Sequence, residues 1–148
     1  MDYQIAQFNV GRMLGDNIEA PIMKEFVDNI AMVNALAEKS SGFIWRMKDE
    51  NNNATSFNPF NDQQIIINLS VWESVEALEA FTYKSLHTNF LKRRKEWFSN
   101  FGKPHFVLWW IEKGKYPSLE VAKNKLEFLQ ENGPTEKAFN FRMKFPPS

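Results

Sequence analysis

Ile65-Ile66-Ile67-Asn68-Leu69-Ser70-Val71-Trp72-Glu73-Ser74-Val75-Glu76-Ala77-Leu78 is the stretch on which the fold turns. Its β-branched, apolar first half predicts a strand over residues 64–72. Ser74 is placed to cap a short helix reaching about residue 83. Strand side chains alternate, so Asn68 and Ser70 share a face with Ile66 and Trp72, while Ile67 points the other way. Both faces are therefore apolar. The last strand, residues 105–112, repeats this with Leu108 and Trp109. A sheet with helices on one side alone would alternate apolar and polar residues, so both faces need cover.

Outward from this stretch, residues 3–10 read as a first strand, with Ile5, Phe8 and Val10 among Gln4, Gln7 and Asn9. Ile22, Phe26, Ile30, Val33 and Ala37 recur at helical spacing over residues 21–40, with Pro21 at the first position and Gly42 beyond the end. A second strand covers 43–47. The Asn-rich segment 49–62 reads as a mobile polar loop with little to bury. A long helix is expected over 86–101. From about residue 118, Ser118 caps a C-terminal helix carrying Leu119, Ala122, Leu126 and Leu129, and an extended tail ends in Phe145-Pro146-Pro147. The order β-α-β-β-α-α-β-α predicts one α+β domain over residues 1–148. Its expected core is a ferredoxin-like antiparallel sheet with helices on one face. A second subunit is expected over the other face, making a homodimer.

The 148 residues hold 18 basic and 18 acidic side chains and are 15% aromatic. A net charge of zero argues against a broad grip on nucleic acid, and no stretch is long and apolar enough to span a membrane. With no cysteine, disulfides, thiolate catalysis and cysteine-ligated metals are excluded; two histidines exclude a His-rich metal site. No P-loop, Rossmann glycine fingerprint or G-x-S-x-G elbow is present. Met1-Asp2-Tyr3-Gln4 puts an acid where a secretory leader needs a basic region, so a cytoplasmic location is expected.

The segment Trp72-Glu73-Ser74 between strand and helix, followed by His87, resembles the dimeric α/β-barrel superfamily, which includes antibiotic-biosynthesis monooxygenase-like and haem-degrading proteins. Within it the chain resembles an uncharacterised domain-of-unknown-function family over nearly its whole length. The resemblance rests on Ala6-Gln7-Phe8-Asn9-Val10-Gly11-Arg12, Gly42-Phe43-Ile44-Trp45-Arg46, Tyr83-Lys84-Ser85-Leu86-His87, Arg93-Arg94-Lys95-Glu96-Trp97-Phe98 and Pro104-His105-Phe106-Val107-Leu108-Trp109-Trp110. It implies the barrel and the dimer, with no settled activity. In the haem-degrading relatives a first-strand Asn and a helical His serve the iron. Asn9 and His87 stand in comparable places, but Phe81 stands where those relatives have Trp.

His87 shares a helical stripe with Phe90, Leu91, Arg94 and Phe98, so it faces a core or a pocket. It reads either as a structural histidine or as an acid, base or haem ligand. Tyr83, one turn earlier, reaches the same cavity or lies on its rim. Arg94 meets an anion, or belongs to a solvated basic face with Lys92, Arg93 and Lys95. Asn9 and Asn68 are structural amides or line a ligand cavity. Trp72 and Trp109 are core residues or cavity walls, and adjacent Trp109 and Trp110 point to opposite faces. His105 reads as a structural strand-end residue. The leading expectation is a small, mostly apolar ligand, with cofactor-independent, monooxygenase-like oxidation implied by the resemblance. The alternatives are haem held by His87 and a non-catalytic dimeric module.

Overall fold

The computed structural model describes residues 2–48, 57–85 and 93–147. Four strands, β1 (Tyr3–Arg12), β2 (Phe43–Arg46), β3 (Ile65–Trp72) and β4 (Phe106–Glu112), form one antiparallel sheet in the order β2-β3-β1-β4. β1 is central. On one side Ile5 pairs with Trp72, Gln7 with Ser70 and Asn9 with Asn68. On the other Gln7 lies opposite Leu108 and Asn9 opposite Phe106. This register puts Gln7, Asn9, Asn68, Ser70 and Trp72 on one face and Phe8, Val10, Leu69 and Val71 on the other.

α1 (Lys24–Lys39) follows a 3-10 turn over Pro21–Met23, with Pro21 in the first turn, where its missing N–H costs nothing. α2 (Val75–Ala80) begins on Ser74, whose Oγ accepts from the Ala77 N–H at 3.1 Å. It runs into a π-helical turn, Phe81–Ser85. α3 is one turn, Arg94–Trp97. α4 (Leu119–Asn132) is capped by Ser118, whose Oγ accepts from Val121 N–H at 3.2 Å. It stops at Gly133, where φ is +73° and a side chain would be strained.

The helices do not lie on one face, as the sequence led us to expect. α4 packs Ala122, Leu126 and Leu129 against Phe8, Val10, Leu69, Val71 and Trp109 in one buried cluster. The apolar face that pointed to a second subunit is thus covered by the same chain. Periodicity shows that a helix has an apolar stripe, not which face of the sheet that stripe meets. Beyond α4 the tail crosses the edge of β4. Phe139 exchanges two backbone bonds with Leu108, at 2.8 and 2.9 Å, and Phe145 O accepts from Trp110 Nε1 at 2.7 Å. The edge is blunted by this strap.

The helix expected over 86–101 is also corrected where it is described. Phe98 is extended (φ −127°, ψ 140°) and bridges Met13. Leu14 N–H bonds Trp97 O, and Ser99 N–H bonds Arg12 O. Pairing with the end of β1 outcompetes further helix. Residues 86–92 and the 49–56 part of the expected loop lie outside the described residues. No helix among the described residues is long and apolar enough to cross a membrane.

Leu126 is fully buried between α4 and the sheet. Leu126→Ala should cost about 2–5 kcal/mol in urea denaturation, through lost contacts and an unfilled cavity. A cost below about 0.5 kcal/mol, the usual effect of a surface change, would mean α4 does not cover this face.

Candidate functional site

The face opposite α4 carries a polar seam. Gln7 is its centre: Nε2 donates to Asn68 Oδ1 at 2.5 Å and to Ser70 Oγ at 2.7 Å, and Oε1 accepts from Asn9 Nδ2 at 2.8 Å. Ser70 Oγ also accepts from the Trp72 indole Nε1–H at 2.9 Å. With two bonds accepted, the Ser70 hydroxyl still has a proton to donate. Among the described residues, Asn68 Nδ2 and Asn9 Oδ1 carry no such side-chain bond, so a donor and an acceptor remain over the sheet.

Above the seam lies a cavity of about 700 Å³, within the range of small-molecule sites. Its roof is the α1 stripe of Phe26, Ile30, Val33 and Ala37. Of these only Phe26 is fully buried; the rest are half-buried. α1 therefore stands off the sheet, unlike α4, whose stripe is sealed. Trp72, Leu78 and Phe81 close one end, with Phe81 stacked on Trp72 at 5.1 Å. Phe106 and Phe141 form a side wall, their rings 4.9 Å apart.

The other end is cationic. Arg94 Nη2 stands 3.5 Å from His105 Nδ1, and its guanidinium lies 5.2 Å over the Phe98 ring. A Cβ on Gly11 would come within 2.8 Å of that ring, so glycine lets Phe98 seat there under Arg94. Burial lowers the Arg94 pKa below the usual guanidinium value, but the group stays charged. Burial, and then the Arg94 charge, lower the His105 pKa from 6.5. Arg46, nearly buried on β2, also lines the cavity, with its Nε 3.6 Å from Glu38 Oε2.

The structure brings Asn9, Asn68, Trp72, Tyr83 and Arg94 to one cavity. Tyr83 is at the rim, 51% exposed, with its ring 5.8 Å from that of Phe141. Trp109 does not join them. It lies on the opposite face, 3% exposed beneath α4, because its register on β4 matches that of Phe8 rather than Gln7. Trp110 points to the cavity side but is held by the tail. His87, and with it the haem reading, falls outside the described residues. Among the described residues no group of three His, Asp or Glu side chains could hold a metal ion.

Among the lining residues, the sequence reading singles out neither Gln7 nor Arg46 for the site and takes His105 as structural. Gln7 was legible, since it shares the parity of Asn9 on β1. His105 and Arg46 were not, because their place depends on how the strand ends and α3 meet.

The profile of the domain of unknown function DUF3291 matches residues 4–148. A crystal structure of a protein of unknown function from Nitrosomonas europaea is similar to the chain, with a TM-score of 0.48 and 15% identity; the match covers 78% of this chain and 96% of that one. No curated protein matches it.

A histidine whose folded pKa lies below its unfolded value favours the fold while neutral. As pH falls, the unfolded chain binds the proton first, so stability present above about pH 6.5 is lost below it. The charged group facing His105 is Arg94, which sharpens the effect. Between about pH 7.5 and pH 5, wild type should lose more thermal stability than His105→Gln. Equal losses would mean His105 is solvated and not pressed against Arg94.

Proposed function

The chain belongs to the family of the domain of unknown function DUF3291, and we propose that it binds a small, mostly apolar or aromatic molecule over the polar seam of the sheet. The observation that carries this is the half-buried α1 stripe held away from Gln7, Asn68 and Ser70, leaving a cavity of about 700 Å³. A purely structural module would be expected to fill that space. Apolar walls with a few oriented donors and acceptors are the usual make-up of a small-molecule site.

The strand order β2-β3-β1-β4, with antiparallel neighbours, supports a ferredoxin-like core and kinship with the monooxygenase-like superfamily. α4 covers the sheet face where a second subunit was expected, so a homodimer is not required to bury it. The chemistry we attach to the site is cofactor-independent oxygenation. His87 would take a proton from the substrate, Asn9, Asn68 or Arg94 would steady the resulting anion, and molecular oxygen, the oxidant, would add to it, one oxygen atom staying on the substrate as a carbonyl and the other leaving as water.

N-phenyl-1-naphthylamine, a neutral apolar fluorophore, tests binding. It should bind wild type with one-to-one stoichiometry, and Val33→Trp, which fills the roof, should abolish the signal with little change in melting temperature. Undiminished binding by a folded Val33→Trp would place the site elsewhere. Oxygen uptake with 1-naphthol, lost in His87→Ala, tests the chemistry; absence of uptake in wild type would remove oxygenation and leave binding.

A further inference from the structure

Resting on that reading and deepening it, we propose that the ligand is an organic anion, a carboxylate on an aromatic or other apolar body, with its carboxylate held by Arg94 and His105. The charge of the cavity is one-sided. Its described lining includes Arg46, Arg94 and Arg142 but no Asp or Glu, although the whole chain balances 18 basic against 18 acidic side chains. The excess is therefore built locally.

The three arginines are not equivalent. Arg46 has Glu38 at 3.6 Å. Arg142 is on the exposed tail. Arg94 is partly buried and forms no salt bridge among the described residues; its polar neighbour there is the imidazole of His105. The adjacent Arg93 bonds two carboxylates, Glu96 at 3.0 Å and also Glu25. Neither of these two acids lines the cavity, and both are committed to Arg93. A guanidinium withdrawn from water without a counter-charge is costly, and an incoming carboxylate supplies one through two parallel N–H···O bonds.

His105 adds a donor. In the tautomer whose Nδ1 accepts from Arg94, the neutral ring carries its proton on Nε2, a donor for a second acceptor. The cavity is also polarised along its length. His105 O accepts from Val10 N–H at 2.9 Å, whereas Trp72 pairs with Ile5. Five strand steps separate these positions, roughly 17 Å at about 3.4 Å per residue. Between them lie the amides of Asn9 and Asn68. A ligand lying along β1 thus meets a cation at one end and the Trp72–Phe81 stack at the other.

The isosteric pair 2-naphthoate and 2-naphthamide, titrated by calorimetry near neutral pH, separates charge from shape. Wild type should prefer the carboxylate at least about tenfold, or about 1.4 kcal/mol. Arg94→Gln should bring the ratio close to one, with the amide bound within about twofold of wild type; Arg94→Lys should restore part of the preference. Retained amide binding and an unchanged melt show that the variant is folded. Equal binding of the two probes by wild type, or a preference that survives in Arg94→Gln, overturns the anion assignment and leaves the cavity reading standing. If naphthoate, naphthamide and N-phenyl-1-naphthylamine all fail to bind, both fall together.

Discussion

The hydrogen bonds that Gln7 makes to Asn68, Ser70 and Asn9 set the terms for everything on that side of the sheet. Gln7 and Ser70 are buried in the middle of a four-stranded sheet and must find partners, and they find them in each other, in Trp72 and in the more open Asn9 and Asn68. A seam satisfied in this way tolerates burial but offers no apolar surface for a helix to seal against. α1 accordingly keeps its stripe half-buried, and the space beneath it stays open. On the opposite face β1 and β3 present Phe8, Val10, Leu69 and Val71, and there α4 closes down completely. One sheet with two chemically different faces thus yields a packed core on one side and a cavity on the other.

The cavity borrows its remaining walls from elements with little stability of their own. α2 loosens into a π-helical turn at Phe81–Ser85, and α3 is a single turn held by its pairing with the end of β1. The tail reaches the site only because Phe139 bonds to β4, which brings Asn140 and Phe141 to the rim. Gly11 lets Phe98 approach closely, and Phe98 in turn carries Arg94. The cationic end is therefore assembled from segments far apart in sequence.

That assembly explains what was legible in the sequence. The strands, the Ser74 and Ser118 caps and the α1 stripe follow from local alternation, capping chemistry and helical spacing, and the structure contains them. The shared face of Asn68, Ser70 and Trp72 follows from strand parity alone. The side taken by α4 was not legible, because an amphipathic helix fits either apolar face and only chain connectivity decides. The early stop of α3 was hidden for a related reason: its residues suit a helix, and pairing of Phe98 with Met13 overrides that preference. Parity puts Trp109 and Trp110 on opposite faces without saying which face each takes, and only the pairing of Trp110 with Ile5 settles it. His105 looked structural because its neighbour Arg94, eleven residues earlier, meets it only through the fold.

The side-chain amide resonances of Gln7, Asn9 and Asn68 report on the seam directly. Titrated with N-phenyl-1-naphthylamine and followed by ¹⁵N-resolved NMR, the Asn68 and Asn9 side-chain signals should shift together and saturate at one equivalent, along with backbone amides of α1 that face the cavity. Saturating shifts confined to the α4 face or to the outer surface, with those three side chains unmoved, would contradict a ligand site over the polar seam.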